Sequence, residues 1–148
     1  MLPDFSDQEW ILTNGIGGYA LGFGDMINKR KYDGLLVASD AQLNRTHIIS
    51  CIEERVENNG TFFYLDSNHY PNCIYPNGYK HIVRAWLRPY PCALYSTAPF
   101  DERFLIFKEI FLLERQNAVA VKYTNLGSKQ CDLILRPKFT LRNHHCVN

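Results

Sequence analysis

Short segments with alternating apolar and polar side chains, separated by Gly, Asn and Pro, run along most of the chain. Such alternation puts successive side chains on opposite faces of an extended strand, and turn residues between the segments mark an all-β protein. Residues 9–13 read as a strand that ends in a glycine-rich turn, and residues 31–39 carry a second apolar run, Leu35-Leu36-Val37-Ala38. Over 46–57 the pattern sets Ile48, Ile52 and Val56 on one face and Ile49, Glu53 and Arg55 on the other. Asn58-Asn59-Gly60 predicts a hairpin onto 61–66, because Asn-Gly supplies the positive φ of a tight turn. In 79–88, Lys80, Arg84 and Arg88 share a face with Ile82 and Trp86. Two more segments follow: 118–125 with Val119, Val121 and Tyr123 inward, and 131–139 with Leu133 and Leu135 inward.

Residues 101–116 admit two readings. Phe104, Phe107 and Phe111 recur at helical spacing, whereas Phe and Ile favour strands and 104–107 is apolar on both faces. Strand-like neighbours favour the strand, and a strand apolar on both faces has to be covered on both sides. The fold class expected is a large antiparallel β-sandwich forming a single domain over 1–148.

Composition narrows the function. With 148 residues, 46% hydrophobic and 21% charged, the chain can bury roughly 70% of its unfolded surface and fold as a globular domain. No uncharged apolar run is longer than that of 104–107, four residues, far below the ~20 residues that span a bilayer. Met1-Leu2-Pro3-Asp4-Phe5 has neither the basic flank nor the apolar stretch of a secretory signal. A net charge of +1 argues against a nucleic-acid or anionic-membrane partner held by electrostatics. Cys51, Cys73, Cys92, Cys131 and Cys146 are odd in number and widely spaced, which suits neither a disulfide framework nor a zinc ribbon and suggests the cytoplasm. In His144-His145-Cys146 an extended backbone would send neighbouring side chains to opposite faces, so no metal is expected there. No cofactor is expected.

Several motifs invite chemistry. Asn14 to Ala20 contains G-x-G-x-x-A after a strand, half of a dinucleotide fingerprint. Gly22 and Gly24 stand where the helix of that fingerprint should begin, so the glycines read instead as a sharp turn or a close backbone approach. Lys29-Arg30-Lys31 is a solvated turn or, with Asn28 and Tyr32, a polar surface for a ligand or partner domain. Glu53 and Glu54 are adjacent on a strand and cannot face each other across a glycosidic bond, which needs carboxylates roughly 5–9.5 Å apart. Residues 68–79 form a loop rich in Tyr, Pro and Asn, whose aromatic faces and amides suit a sugar or simply staple the loop to the core.

Four segments in order are similar to one family. Glu9 to Ala20 resembles the opening of the N-terminal domain of bacterial and archaeal glycogen debranching enzymes. Asn28-Lys29-Arg30-Lys31-Tyr32-Asp33-Gly34-Leu35-Leu36-Val37-Ala38 resembles that domain's N-x-R-[RK]-Y-H-G-L-L-V-A segment, with Asp33 in place of the histidine. Tyr70-Pro71 with Tyr75 to Tyr79, and Arg142-Asn143-His144-His145, resemble two further elements. The resemblance implies a β-supersandwich of galactose-mutarotase type, somewhat longer than this chain, that precedes an (α/α)6 barrel. The barrel would carry the acid and base that hydrolyse α-1,6 branch points of glycogen-like glucans. On that basis the chain is expected to be the non-catalytic N-terminal part of an amylo-α-1,6-glucosidase, inactive by itself, with α-glucan and the downstream catalytic domain as partners. Candidate glucan contacts are Asn14, Gly17, Gly18, Tyr19, Asn28, Arg30, Tyr32, Asp33, Tyr75, His144 and His145, with no catalytic residue among them. The alternatives are a stand-alone carbohydrate-binding module acting through the 70–79 loop, and a structural β-domain that covers its apolar sheet by forming a homodimer.

Overall fold

In a computed structural model, residues 4–97 and 104–146 are described. They form the strands β1 (Glu9–Thr13), β2 (Tyr19–Phe23), β3 (Gly34–Ser39), β4 (Arg45–Asn58), β5 (Thr61–Tyr64), β6 (Asn68–Tyr70), β7 (Cys73–Tyr75), β8 (Ile82–Trp86), β9 (Cys92–Ser96), β10 (Leu105–Leu112), β11 (Val119–Asn125) and β12 (Asp132–Asn143). All pairings are antiparallel. One sheet runs β1-β2-β3-β4-β12 with β5 also on β4, a second runs β11-β10-β9-β8, and β6-β7 is a separate hairpin. The β4–β5 turn has the expected chemistry, with Asn59 at φ 49° and Gly60 at φ 78°.

The two large sheets bury apolar side chains between them in two clusters. One joins Val56 and Leu65 to Ala93, Tyr95 and Ile106; the other joins Trp10, Ala20 and Leu35 to Ile110. This is an all-β, sandwich-like fold. Residues 105–112 are the strand β10, so the helical reading of 101–116 is wrong there; 101–103 lie outside the described residues. Phe104, Ile106 and Ile110 face the core, while Trp86–Phe107 and Tyr90–Phe111 ring pairs, at 5.9 and 4.5 Å, cover the outer side of β10. The strand apolar on both faces is therefore covered partly by its own aromatic neighbours.

Several facings differ from the alternation, and bulges explain most of them. β4 gains residues against β3 and β12 near Ser50, so Ile49 and Ile52 pack on one core cluster although their parities differ. An inserted residue reverses the facing of everything beyond it. The same happens in β8 between Ile82 and Arg84: Ile82 and Ala85 face the core, while Arg84 lies over Trp86 at 4.9 Å on the other side. Lys80 falls in a 3-10 turn, Gly78–His81, and Arg88 lies past the strand end. Leu133 packs on the core, but Leu135 is 42% exposed, because β12 ends its sheet's strand order and neither core cluster extends to that position. Residues 68–79 are not an irregular loop but the β6–β7 hairpin and the 3-10 turn.

Glu54 sits in the interior because it shares a face with Ile52 and Val56, with no register shift between them. Its carboxylate meets Lys108 Nζ of β10 at 2.6 Å and accepts the Tyr123 hydroxyl of β11. Both charges are almost wholly buried, so the pair bolts the two sheets together. Burial, with the Glu54 charge beside it, pushes the Tyr123 hydroxyl far above its ordinary value.

Candidate functional site

The glycine motif leads into β2 and not into a helix, which removes the phosphate-binding geometry of a dinucleotide fold. Asn14 organises the turn. Its Oδ1 accepts the N–H groups of Ile16 and Gly18 at 3.1 and 2.9 Å, and its Nδ2 donates to the Gln116 carbonyl at 2.9 Å. Gly17 adopts φ 96°, and at Gly18 a Cβ would stand 2.5 Å from Asn14 Nδ2, so neither position accepts a side chain without strain. These three residues shape the backbone beneath the surface. Asn28 points elsewhere, donating to the carbonyl and hydroxyl of Ser50 at 3.0 and 3.1 Å.

The basic triplet is tied down throughout. Lys29 Nζ meets Asp25 at 2.9 Å and Asp7 at 3.0 Å, and Arg30 forks onto both oxygens of Glu9 at 3.0 and 3.1 Å. Lys31 Nζ donates to the His145 carbonyl at 3.0 Å. Asp33, at the position expected to be histidine, has a buried carboxylate that accepts the Lys29 and Arg30 N–H groups at 2.8 Å each. Its charge closes the 29–33 turn, and its side chain is not presented at the surface.

Tyr19, Tyr32, His144 and His145 do come together. The Tyr19 hydroxyl donates to the Tyr32 carbonyl at 3.2 Å. The Tyr32 ring lies 5.8 Å from the His144 ring and 6.0 Å from the His145 ring. Residues 144 and 145 form a turn where extended backbone was expected, which brings their rings to 3.8 Å. Among the described residues no three metal-ligating side chains gather. Arg45 and Arg142 complete this face and were missed in the sequence. Arg45 Nε donates to the Gly17 carbonyl at 2.8 Å, and Arg142 Nη2 to the Lys31 carbonyl at 2.5 Å. Arg142 stood inside a flagged motif; Arg45 left no signal, since an arginine opening a strand is ordinary.

His47 supports this face from below. Its Nε2 faces the Asp33 carbonyl at 2.8 Å, an acceptor only, so Nε2 carries the proton of the neutral ring; Nδ1 lies 2.7 Å from Thr140 Oγ1. Burial lowers its pKa, and the Asp33 carbonyl offsets this only in part. Between the depressed folded value and about 6.5 the unfolded chain binds the extra proton, so stability falls as pH falls through that window. The expected result is a domain whose stability declines below about pH 6.5, with a shallower decline in His47→Gln. Urea titrations at several pH values check it; parallel slopes in the two proteins would count against it.

Tyr75 belongs to a different place. The β6–β7 hairpin roofs a recess of about 170 Å³ lined by Glu53, Arg55, Tyr64, Asp66, Tyr75 and Arg136, among others. Tyr64 and Tyr75 stand 6.4 Å apart, ring centre to ring centre. The Asp66 carboxylate accepts the Glu54 N–H at 2.9 Å and the Asn68 amide at 3.2 Å; burial raises its pKa nonetheless. The 70–79 aromatic run pointed here, whereas Arg136 on β12 gave no sequence signal.

Two antiparallel sheets, a strand where a nucleotide-binding helix would stand, and a surface of tyrosines, histidines and arginines define an all-β sandwich-like domain. A family model described as glycogen debranching enzyme N terminal matches residues 8–148. The chain belongs to the glycogen debranching enzyme N-terminal family. No curated protein and no solved structure matches it.

Proposed function

We propose that this chain is the non-catalytic N-terminal domain of an amylo-α-1,6-glucosidase, bracing an (α/α)6 catalytic barrel and lending contacts to a glycogen-like α-glucan in the cytoplasm. The observation that carries the reading is convergence: the glycine turn, the 28–34 segment and the 142–145 element are far apart in sequence yet meet around Tyr19, Tyr32 and His145. The side chain of Asp33 is spent inside its turn, so this face would meet its partner through Tyr32 and the histidines. Along β12, Leu135 and Phe139 are 42% and 63% exposed, and Leu141, at the β12 bulge, is 69% exposed; these are apolar side chains of the kind another domain covers. The longer supersandwich is part of the same proposal.

The pure chain is expected to release no glucose from a branched dextrin and to bind a separately purified (α/α)6 domain of the family, with Tyr32→Ala weakening the complex. Clear turnover, lost on replacing one of the chain's own carboxylates, would overturn the reading. A second reading, a homodimer that covers β12, is favoured only by the same exposed apolar side chains; light scattering at two concentrations separates it.

A further inference from the structure

We propose that the recess beneath the β6–β7 hairpin binds one neutral hexopyranose ring, separately from the Tyr19–Tyr32–His145 face. That the ring is the glucosyl end of a glucan rests on the reading above; that it is a neutral sugar rests on the recess itself.

Size limits the ligand first. About 170 Å³ is close to the roughly 150 Å³ of a cavity that holds a benzene ring, and well below the ~300 Å³ at which larger organic ligands are accommodated. One six-membered ring fits, with its substituents turned to the open side. Charge limits it next. Glu53 pairs with Lys138 at 2.8 Å, Arg55 with Glu57 at 3.1 Å, and Glu54 with Lys108 at 2.6 Å. An anion would meet the carboxylates of Glu53 and Asp66, and a cation the guanidinium groups of Arg55 and Arg136. A neutral ligand with many hydroxyls disturbs none of these pairs, because a paired carboxylate keeps lone pairs for an O–H donor.

The walls match the two faces of a sugar. Tyr75 is 62% exposed and Tyr70 45% exposed, although both edge a concave site, so their rings are available to the C–H face of a pyranose. Carboxylates, the Asn68 amide and guanidinium groups surround them for the hydroxyls. The hairpin is fixed from behind: Gly78 N donates to the Asp66 carbonyl at 3.1 Å, Tyr79 N to Ser67 Oγ at 2.9 Å, and Lys138 Nζ lies 3.5 Å from Asn68 Oδ1. At Gly78 a Cβ would fall 2.3 Å from the Leu65 carbonyl carbon, so the chain beyond the hairpin lies directly on the segment that follows β5. A roof held in place before binding loses little freedom when a ligand arrives. A single open ring site binds weakly, with a Kd on the order of millimolar.

The test is amide NMR of the 148-residue chain titrated with maltotriose, galactose and inorganic phosphate. Either sugar is expected to shift Asn68, Tyr70, Tyr75 and Ile134 saturably. Tyr75→Ala should weaken this roughly five-fold, Ile134→Trp should block it by filling the floor, and Tyr32→Ala should leave it unchanged. Saturation by galactose with none by maltotriose supports the recess and removes the glucan reading. Shifts confined to Tyr19, Tyr32 and His145 that survive Tyr75→Ala overturn the recess and leave the proposed function standing. Displacement of sugar by phosphate, or no saturable shift with either sugar, overturns it as well.

Discussion

Lys108→Ala is expected to destabilise the domain by about 3–5 kcal/mol, the largest effect of any single replacement proposed here. Glu54 and Lys108 face each other across the sandwich at 2.6 Å, with side chains that are 0% and 7% exposed. Removing the ammonium leaves a carboxylate in an apolar interior, with the Tyr123 hydroxyl as its remaining donor; Glu54 Oε2 has no partner even in the intact protein. An unpaired buried charge costs far more than the pair contributes, because desolvating two ions nearly cancels their attraction. The double replacement Glu54→Gln/Lys108→Met should therefore recover most of the loss. Urea unfolding of the three proteins measures this. A single variant within about 1 kcal/mol of the parent would show that water or a rearranged side chain neutralises Glu54.

Asn14→Ala is expected to cost about 2–4 kcal/mol. The residue is fully buried, and its amide serves the glycine turn on one side and the Gln116 carbonyl on the other. Alanine strands the N–H groups of Ile16 and Gly18 without an acceptor, and leaves Gln116 without its donor. Each buried polar group left unpaired costs about 1–3 kcal/mol. Asn14→Asp keeps the acceptor and loses the donor, so roughly half of the loss is expected from it. Equal losses in both variants, or none, would show that the turn does not depend on this side chain. If Asn14 acts only beneath the surface, its replacement should lower stability without altering the contacts that Tyr32 makes in the folded fraction.

Alternation located several strands, because a half-buried strand must separate its apolar and polar sides. It located β4, β8, β11 and β12; apolar runs and turn residues marked β1, β3 and the Asn59-Gly60 hairpin onto β5, and strand-like neighbours favoured β10. β2 escaped because Gly22 and Gly24 look like turn residues. In fact Gly22 lies in the strand, where a Cβ would stand 2.7 Å from the Trp10 ring, so the glycine makes room for the indole. The bulges in β4 and β8 escaped too. An extra residue in a ladder changes no local composition, yet it exchanges the two faces beyond it.

The candidate site divides along the same line. Residue types flagged the glycine turn, Tyr32, the 144–145 histidines and the aromatic run around Tyr75. They did not reveal that Tyr75 stands apart from Tyr32, that Asn28 turns to Ser50, or that the Asp33 carboxylate is enclosed by its own turn. Glu53 and Glu54 were rightly separated by strand geometry: Glu53 meets Lys138 at the half-exposed surface, and Glu54 meets Lys108 inside.

By itself the sequence determined the all-β class, the order of the strands that alternate cleanly, and the family whose motifs lie in line from residue 8 onward. These are properties of spacing along the chain, fixed by the two-residue period of a strand and by the φ values that Asn and Gly allow. Only the tertiary structure decided which charge is buried, which tyrosine faces which surface, and that a recess exists beneath the hairpin. Those outcomes depend on register between strands distant in sequence, as Lys108 and Glu54 show, and a single inserted residue resets them.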